Sequence, residues 1–425
     1  MPKQYYTIFA LFIVIMVDAL GWGVAFPVLA PVLLKNSVHM LGAATSLATR
    51  NFLYELALSI YCIFMFLMSP ILGSLSDKYG RKIILIISML GNFLGFLICA
   101  MAIPMHSFTL LLVGRSIAGA TAGSLPIAQA AIMDISSDAL KVSRLGLVIL
   151  GNVAGFALGP VIGGFFMDKA IFGANISYQT PFYISCAMGL IGALCLLFFK
   201  ETYTGNKAIK IHLFTSFHNI YQAFTDKRTQ HYCCVLLFFL SAWGIFFSTM
   251  PVLLTERLGW MGSSVGYFIA YIGLIFGIII LFVLPKITAR FPLYKVILIA
   301  LASLFTCNLL FPVIHNSILP WTIILLAIGV PFIYVSTVTL LSMQVGEQQQ
   351  GQIMGVTGSI FALTWGIGPL LVGYSLKAGL STPYILSGIF LLLAILVLRN
   401  YNRTSLIGDN TQRGTVSRIK PGVAP

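Results

Sequence analysis

One acid and one base lie inside stretches of sequence that are otherwise almost entirely apolar. Asp18 falls in the first apolar stretch and Arg115 in the fourth. If both stretches are helices, the two side chains lie about 12 Å below the same surface of a hydrocarbon layer ~30 Å thick. An ionisable group there costs at least about 2.5 kcal/mol, so a functional role is the first hypothesis. We expect Asp18 and Arg115 to face each other or share a water-filled pocket, with the acid exchanging protons. A static buried ion pair is the alternative.

Glu55 is a third ionisable residue in an apolar stretch, about one or two helical turns from that same surface. A carboxyl group at this depth forms a second proton or cation site, or it simply reaches interfacial water. Both interpretations stay open from the sequence.

A dense polar hairpin, Gly73-Ser-Leu-Ser-Asp-Lys-Tyr-Gly-Arg-Lys82, separates the second and third apolar stretches. Asp77 ends one helix there, and the eleventh stretch begins at the same membrane face. Because a helix N-terminus carries about half a positive charge, we expect Asp77 to dock on it and hold two halves of the protein together. Asp134 is expected to complete an acid–base–acid cluster. The predicted latch comprises Gly73, Asp77, Gly80, Arg81 and Asp134. A loop that only sets topology is the alternative.

Membrane-spanning helices must position these residues. Hydrophobic residues make up 59% of the 425 and charged residues only 8%, whereas a soluble protein carries about 25% charged residues. Twelve apolar stretches are long enough to span a bilayer. They cover residues 6–34, 50–72, 83–103, 107–134, 145–167, 180–199, 232–254, 262–284, 294–314, 318–342, 353–376 and 380–398.

The sequence predicts an all-α membrane protein whose twelve transmembrane helices form two pseudo-symmetric six-helix bundles. Gly159-Pro160 in the fifth span recurs as Gly368-Pro369 in the eleventh, which indicates like-oriented repeats about an axis along the membrane normal. The polar hairpin has a counterpart after the eighth span, where Ala289 replaces the acid. The predicted divisions are an N-terminal bundle over 1–199, a cytoplasmic central loop over 200–231, a C-terminal bundle over 232–398 and a basic cytoplasmic tail over 399–425.

Lysine and arginine residues set the orientation, because they accumulate in cytoplasmic loops. Most of the 25 lie on the side of both termini, the central loop and the polar hairpin. The exceptions in loops are Lys35, Arg50, Lys169, Arg257 and Lys377. Both termini are therefore predicted to be cytoplasmic. The net charge of +14 lies in short loops and tails rather than on a basic face, so no nucleic-acid partner is expected.

Glycines at four-residue spacing place a smooth stripe on the fifth span, which allows close helix packing. We expect the stripe to pack against a span of the other half, such as the eighth, and to seal the site against leakage. Support of folding alone is the alternative. The predicted packing motif comprises Gly146, Gly155, Gly159, Pro160, Gly163 and Gly164.

The predicted substrate cavity is aromatic and largely apolar, since no charged residue lies within the spans of the second half apart from Lys295 at the very start of one of them. Such a cavity suits an amphipathic or cationic organic molecule, held by stacking and cation–π contacts. Packing or a membrane-interface position is the alternative for each ring. The candidate cavity residues are Gln129, Asn152, Trp243, Tyr267, Tyr271, Tyr334 and Trp365.

Enzyme chemistry finds little support in the sequence. Gly262-Ser-Ser264-Val-Gly266 fits a nucleophile elbow, but His315 is the only later histidine and no acid lies between it and Ser264. No phosphate-binding loop or zinc-binding histidine pair is present. The seven cysteines lie in or beside apolar stretches without metal-ligand spacing. We therefore expect a protein that is not an enzyme and that has no metal or cofactor.

Several of these motifs resemble those of the major facilitator superfamily. Gly73–Lys82 matches its signature loop, and Arg115-x3-Gly119-x3-Gly123 resembles its arginine motif. The glycine–proline array of the fifth span resembles an antiporter motif, and Asp18-x2-Gly21-x5-Pro27 resembles one of the twelve-span drug:proton antiporters. The resemblance covers residues 6–398 and is closest to tetracycline-efflux-like members. It departs from them at Gly95, where those members carry an acid.

The resemblance implies a secondary transporter that exports a small organic compound in exchange for protons. It would work by alternating access, in which the binding site opens to one side of the membrane at a time. The resemblance also implies a bacterial inner-membrane protein whose partners are its substrate, protons and the lipid bilayer, and we expect a monomer. Import of a nutrient, metabolite or siderophore by the same fold is one alternative. A non-transporting receptor or scaffold of this fold is the alternative from a different class.

Overall fold

A computed structural model of the chain describes residues 2–36, 38–136, 138–173, 177–203, 215–260, 262–315, 318–345 and 350–416. Within those ranges the regular structure is helical and no strand occurs. This agrees with the predicted all-α class.

The first half contains eight helices within the described residues. The bounds are α1 Pro2–Leu29, which continues as a π-helical turn over Ala30–Leu34, α2 Leu47–Tyr79, α3 Arg81–Ala102, α4 Phe108–Thr121, α5 Ser124–Ile135, α6 Asp138–Phe165, α7 Lys169–Phe172 and α8 Thr180–Leu197.

A separate helix, α9, covers Thr215–Thr225 between the halves. The second half then contains α10 Gln230–Leu258, α11 Gly262–Ile278, a π-helical turn over Ile279–Val283, α12 Leu284–Arg290, α13 Leu293–Leu310, α14 Leu319–Met343, α15 Gln350–Ser375 and α16 Thr382–Val416.

Eleven helical segments of the described chain are long and apolar enough to cross a membrane. They coincide with eleven of the predicted spans. The fifth predicted span, in α6, has a shorter described apolar part, Leu150–Phe165. The structure thus supports a multi-pass membrane protein, with the twelfth crossing resting on this shorter segment.

The two halves pack in matching ways, as the predicted repeats require. In the first half α1 contacts α6 and α8. In the second half the corresponding helix α10 contacts α15, the counterpart of α6, and α16, the counterpart of α8. The pairs α3 with α4 and α3 with α8 likewise correspond to α13 with α14 and α13 with α16. Between the halves, α2 packs on α15 while α6 packs on α11. An exchange of halves converts one of these two contacts into the other, which is the signature of a pseudo-two-fold axis.

The fourth predicted span is broken, although the sequence predicted one continuous run over 107–134. The helix stops at Thr121 and restarts at Ser124. Thr121 donates its hydroxyl to the Ile117 carbonyl, 3.0 Å away, which competes with the helical hydrogen bonds. A Cβ atom on Gly123 would lie 2.9 Å from Leu72 Cδ1, so the break also lets α2 approach closely. The consequence is a new helix N-terminus inside the membrane.

The glycine stripe of the fifth span packs mainly within its own half, so the predicted docking on the other half is wrong for most of it. A Cβ atom on Gly155 would lie 2.1 Å from the Met16 carbonyl oxygen of α1. A Cβ atom on Gly159 would lie 2.5 Å from the Leu20 carbonyl oxygen, and one on Gly163 would lie 2.6 Å from Pro27 Cγ. Because the backbones of α1 and α6 touch, no side chain fits between them. The stripe therefore follows the folding alternative.

Only one end of this motif reaches the other half. A Cβ atom on Gly164 would lie 3.0 Å from the Ser263 carbonyl oxygen of α11, and one on Gly266 would lie 2.6 Å from the Pro160 carbonyl oxygen. Pro160 and Gly164 thus fit the predicted contact with the eighth span. Gly146 belongs to α6, but its surroundings lie outside the described part of the chain.

Two of the predicted divisions fall partly outside the described residues. In the central loop, residues 204–214 lie outside them, and α9 occupies much of the rest. In the tail, α16 continues as helix to Val416, and residues 417–425 lie outside the described part. The four divisions remain predictions.

Candidate functional site

Asp18 lies on α1 at the point where the fourth span is broken. The Ser124 hydroxyl donates a hydrogen bond of 2.5 Å to Asp18 Oδ2. Ser124 is the first residue of α5, so the carboxyl group lies at the positive end of a helix within the membrane. The other carboxyl oxygen, Oδ1, is buried and has no hydrogen-bond partner. The break therefore supplies a polar site for Asp18 and leaves one oxygen unsatisfied.

Arg115 does not pair with Asp18 in the structure, so the predicted facing pair and its static ion-pair alternative are both wrong for this conformation. The Arg115 side chain is fully buried, and its Nε donates to the Ala57 carbonyl of α2 at 3.0 Å. Its guanidinium lies 4.6 Å from the centre of the Tyr61 ring, a cation–π contact. Tyr61 lies within electrostatic range of both Asp18 and Arg115. Because the fourth span is broken, the Ser124 hydroxyl donates to Asp18. The Tyr61 ring, and not the Asp18 carboxyl group, lies against the Arg115 guanidinium.

Glu55 lies between the two halves. It is 0% exposed, and neither of its carboxyl oxygens has a hydrogen-bond partner. The interpretation that it reaches interfacial water is therefore wrong for this conformation. The reason is that α15 covers it, with Gly373 so near that an added Cβ would lie 3.3 Å from Glu55 Cβ.

A cluster of rings from four helices fills the centre between the halves. This aromatic cluster comprises Trp22 and Phe26 of α1, Phe156 of α6, Trp243 and Phe247 of α10, and Phe361 and Trp365 of α15. Trp22 stacks on Phe156 with ring centres 5.0 Å apart and meets Trp365 edge-on at 4.8 Å. Such contacts stabilise by about 0.5–1.5 kcal/mol each beyond burial. The cluster joins both halves. Asp18 lies one helical turn from Trp22 along α1.

The cluster has one unsatisfied polar atom. Trp365 is 2% exposed, yet its ring nitrogen has no hydrogen-bond partner. A buried N–H without an acceptor is costly. A bound molecule with an acceptor atom would relieve that cost.

Only part of the predicted cavity set lies in this cluster. Trp243 and Trp365 belong to it. Gln129 of α5 and Asn152 of α6 are partly buried, and Asn152 precedes Phe156 by one helical turn.

The three predicted tyrosines lie elsewhere. Tyr267 donates its hydroxyl to Asp168, 3.0 Å away, and so links α11 to the segment after α6. Tyr271 and Tyr334 are 53% and 38% exposed and contact none of the rings of the cluster. Trp243 and Trp365 thus belong to the cluster and the three tyrosines do not, and the assignment of all five to a substrate cavity stays a prediction.

Sequence reasoning missed five rings of the cluster. Their positions are 22, 26, 156, 247 and 361. With 32 phenylalanines in the chain, composition alone does not separate a site ring from a packing ring. One usable signal was present, because Asp18 and Trp22 are four residues apart and share a helix face.

The halves touch on the side away from the termini. There the Ser59 hydroxyl of α2 donates to the Gly366 carbonyl of α15. Nearby, a Cβ atom on Gly366 would lie 3.1 Å from Ile63. Toward the other end of α15, Gly355 and Gly358 have open space around an added Cβ. The contacts between the halves are therefore close on one side of the membrane and looser on the other.

The polar hairpin forms the predicted acid–base–acid arrangement. Arg81 pairs with Asp77, and its Nε donates to Asp134 Oδ2 at 3.2 Å. Arg81 also donates to the Ser76 hydroxyl at 2.8 Å. Asp77 thus pairs with Arg81. The residues at and before the N-terminus of α15 lie partly outside the described part of the chain, so docking of Asp77 there stays a prediction.

Glu201 is a part of this cluster that sequence reasoning missed. Its carboxyl oxygens accept from the backbone amides of Arg81 at 2.9 Å and Lys82 at 3.0 Å, the first residues of α3. A carboxylate there satisfies free amides and complements the helix dipole. Gly80, with φ of 102°, leaves the required room, since a Cβ would lie 2.5 Å from Glu201 Oε2. No local signal marked Glu201, because it is 120 positions away from Arg81 in sequence.

Residues 11–369 match the sequence profile of the Major Facilitator Superfamily. A tetracycline resistance protein of class H from Pasteurella multocida is 30% identical over 379 residues, which are 87% of this chain and 88% of that protein. The quinolone resistance protein NorA of Staphylococcus aureus is 27% identical over 410 residues, or 94% of this chain and 96% of NorA.

Solved structures show the same fold. The human organic anion transporter MFSD10 (TETRAN) superposes with a TM-score of 0.70 at 18% identity, covering 94% of this chain and 100% of that one. A D-xylose–proton symporter has a TM-score of 0.70 at 14% identity, covering 92% and 97%. At these identities the likeness is one of fold.

Proposed function

This chain belongs to the Major Facilitator Superfamily and is a multi-pass membrane transporter, and from that premise we propose that it exports an amphipathic or cationic organic compound in exchange for protons. The observation that carries the proposal is the placement of Asp18 beside the aromatic cluster. A carboxyl group, a bank of rings and an unpartnered indole N–H lie together at the junction of the two halves. Its membrane would be the bacterial inner membrane, where it would act as a monomer.

Exchange follows from competition at one carboxyl group. Ionised Asp18 attracts a cationic group of the substrate while the rings of the cluster stack on its apolar part. Protonated Asp18 has no charge to offer, and a bound proton therefore favours release of the substrate. Because the proton and the cation need the same oxygen atoms, they occupy the site in turn. That alternation is the requirement for antiport.

Arg115 acts in this scheme as a positioning residue. It ties α4 to α2 through the Ala57 carbonyl and the Tyr61 ring. Its two terminal nitrogens are buried and have no partner. They are donors that can engage an acid when the helices rearrange, so Arg115 responds to the state of the site without touching the substrate.

Alternating access gives the polar hairpin its role. If the lysines and arginines set the orientation, the termini are cytoplasmic and the tight contacts between the halves lie on the outer side. The structure then corresponds to an inward-facing state. In the outward-facing state Asp77 would move onto the N-terminus of α15 and close the inner side, while Arg81, Asp134 and Glu201 keep the hairpin in shape.

The direction of transport is supported by the relatives. Their names describe resistance to tetracycline and to quinolones, which is consistent with export. The same fold also occurs in a D-xylose–proton symporter. Import is therefore the second candidate, and the test below separates the two.

The test uses everted membrane vesicles, whose outer surface is the cytoplasmic face, and ethidium as a planar aromatic cation. With an acidic interior, antiport predicts accumulation of ethidium inside the vesicles, and collapse of the pH gradient abolishes it. Symport predicts the opposite response, with expulsion of preloaded ethidium under the same gradient. A receptor or scaffold would move no dye in either direction, and that result would refute the proposal.

A further inference from the structure

We propose that Glu55 is a proton-controlled gate residue of the outer seal, the contact between α2 and the helices α10 and α15 of the other half. Protonated, it allows the halves to close over it; ionised, it holds them apart. The inference uses the orientation and alternating access of the proposed function. It concerns a different residue from Asp18 and a different step of the cycle.

Burial at an interface is the first observation. Glu55 is 0% exposed, although it belongs to the first half and α15 of the second half covers it. The helices meet backbone to backbone beside it, since a Cβ atom on Gly373 would lie 3.1 Å from Phe52 Cα and 3.3 Å from Glu55 Cβ. The carboxyl group can meet water only when the halves separate.

The neighbours of Glu55 supply no compensating charge. On α10 the Ser248 hydroxyl faces it but donates to the Ile245 carbonyl at 3.4 Å. On α16 the Tyr384 hydroxyl is buried without a partner and lies within electrostatic range of Glu55.

On its own helix, Tyr54 lies next to it, and α15 contributes Gly373. Arg115 of α4 lies within electrostatic range of Tyr54, and it is bound to Ala57 and Tyr61. No ion pair of the described residues includes Glu55.

Electrostatics then couples the charge of Glu55 to the seal. A carboxylate without partners between packed helices is strongly unfavourable, whereas the neutral acid is tolerated. The closed outer side therefore requires the protonated form. Once the halves part, water solvates the carboxylate and opposes closure. For a gate controlled by one proton, the ratio of closed to open molecules rises up to about tenfold per unit fall in pH.

This arrangement suits a proton antiporter that works against an acidic exterior. In the outward-facing state Glu55 meets the outer solution and takes up a proton there. The outer side can then close, which returns the protein to the inward-facing state. Acid outside thus favours the return step independently of the exchange at Asp18, and the proton leaves Glu55 to the outer solution when that side opens again.

The experiment measures the outer distance between the halves by electron–electron resonance of two spin labels. Suitable positions are Leu47 at the start of α2 and Tyr374 near the end of α15, which are 50% and 72% exposed. The labels are introduced by Leu47→Cys and Tyr374→Cys in a background whose seven native cysteines are replaced. Samples in lipid nanodiscs are compared between about pH 4 and pH 9, a window that starts near the ordinary range of glutamate and extends over the range that buried carboxyl groups reach.

The proposal predicts that the short outer distance dominates at low pH and that a longer one grows as the pH rises. Glu55→Gln, an uncharged mimic of the acid, should keep the short distance throughout. In Glu55→Asp, which keeps a carboxyl group, the outer distance should still respond to pH. That result would show that the site tolerates substitution. The control Glu256→Gln, at an exposed acid on the same side, should behave as wild type.

Two results would overturn the gate. One is a pH response in Glu55→Gln equal to that of wild type, and the other is an unchanged distance in wild type across the whole range. Asp18→Asn in the same labelled background separates this inference from the proposed function. It should abolish exchange of ethidium for protons while the outer distance still responds to pH. If it instead removed the distance response, control of the outer side would belong to Asp18 and the gate assignment to Glu55 would be wrong.

Discussion

At the scale of residues, three ionisable side chains deep in the spans of the first half lie in three different environments. Asp18 has a hydroxyl donor and a helix N-terminus, and Arg115 has a carbonyl and a ring. The carboxyl oxygens of Glu55 accept no hydrogen bond, although the Ser248 hydroxyl faces them. Charge inside a membrane persists only where such partners or a change of state compensate for it. The three environments support the three proposed roles: exchange at Asp18, positioning by Arg115 and control of closure by Glu55.

The contact between Arg115 and Tyr61 leads to a prediction about stability. Tyr61→Leu removes the ring below a buried guanidinium, a cation–π contact worth about 2 kcal/mol when desolvated. We expect the Tm in detergent to fall by at least about 2 °C. Tyr61→Phe is the matched control, because it keeps the ring, and should retain most of the stability. Equal loss in both variants would assign the stabilisation to the hydroxyl group instead of the ring.

The aromatic cluster leads to a prediction about binding. Trp22 lies on the same face of α1 as Asp18 and stacks on Phe156. Trp22→Leu should weaken ethidium binding, measured by fluorescence titration, by about fivefold, since a stacked ring contributes about 1 kcal/mol. Trp321→Leu, at a 65% exposed tryptophan of α14 outside the cluster, should leave the affinity unchanged. A larger effect at Trp321 than at Trp22 would place the binding site elsewhere.

The sequence predicted these residues better as individuals than as a set. The depth of Asp18 and Arg115 stays a prediction from helix rise. The pairing predicted from it does not occur, because a helix break at Ala122-Gly123 gives Asp18 another partner. Glycine and alanine occur throughout such helices, so a break is not distinguishable from a packing site. Burial of Glu55 was also beyond reach, since the covering helix α15 comes from the other repeat and only the folded chain brings it near.

At the scale of elements, close helix packing in the first half depends on glycine. The helices α1 and α6 touch through their backbones at Gly155, where a Cβ would lie 2.1 Å from the Met16 carbonyl oxygen. Periodic glycines were visible in the sequence, and a smooth stripe followed from their spacing. The partner helix did not follow, because a stripe fits any helix that approaches it. Only the connectivity of the repeat, with α1 paired to α6 as α10 is to α15, selects the partner.

This packing leads to a prediction with a matched control. Gly155→Val should force α1 away from α6 and reduce the yield of folded protein or its Tm, as overpacking costs about 1–3 kcal/mol. Gly358→Ala adds a methyl group in open space on α15. It should leave the Tm unchanged or raise it slightly, because alanine is the better helix former. A harmless Gly155→Val would refute the backbone contact.

The cap formed by Glu201 leads to a prediction about local opening. Glu201→Ala removes the acceptor from the first amides of α3, so the amides of Arg81 and Lys82 should exchange hydrogen for deuterium faster. Mass spectrometry of the proteolysed protein measures this exchange. A lost cap costs about 1 kcal/mol, which corresponds to roughly fivefold faster exchange. Glu256→Ala serves as control, because this acid is exposed at the end of α10. Unchanged exchange in the Glu201 variant would show that the cap contributes nothing to α3.

At the scale of the whole molecule, the repeated architecture was predictable because it depends on hydrophobic length and repeated motifs. Eleven described segments match predicted spans, and the contacts within each half repeat in order. The conformational state was not predictable, since one sequence serves both states of a transporter. The latch expected from Asp77 belongs to the outward-facing state, whereas the structure shows tight contacts on the opposite side.

The state of the molecule connects the three scales. Asp18 and the aromatic cluster lie at the centre, the Glu55 contact lies toward one surface and the hairpin with Asp77 lies at the other. Protons that bind in sequence at the outer contact and at the centre would favour closure outside and release of substrate. The asymmetry between an acidic hairpin in the first half and Ala289 in the second is consistent with control concentrated in the first half.

The most direct test of proton exchange at Asp18 is a measurement of proton movement in proteoliposomes that contain a trapped pH-sensitive dye. No pH gradient is imposed, and an ethidium gradient directed inward is applied to the purified protein. The account predicts that the lumen becomes more alkaline as ethidium enters and protons leave, and that Asp18→Asn, folded as judged by its Tm, produces no pH change. An equal pH change with Asp18→Asn, or acidification of the lumen by the wild-type protein, would contradict it.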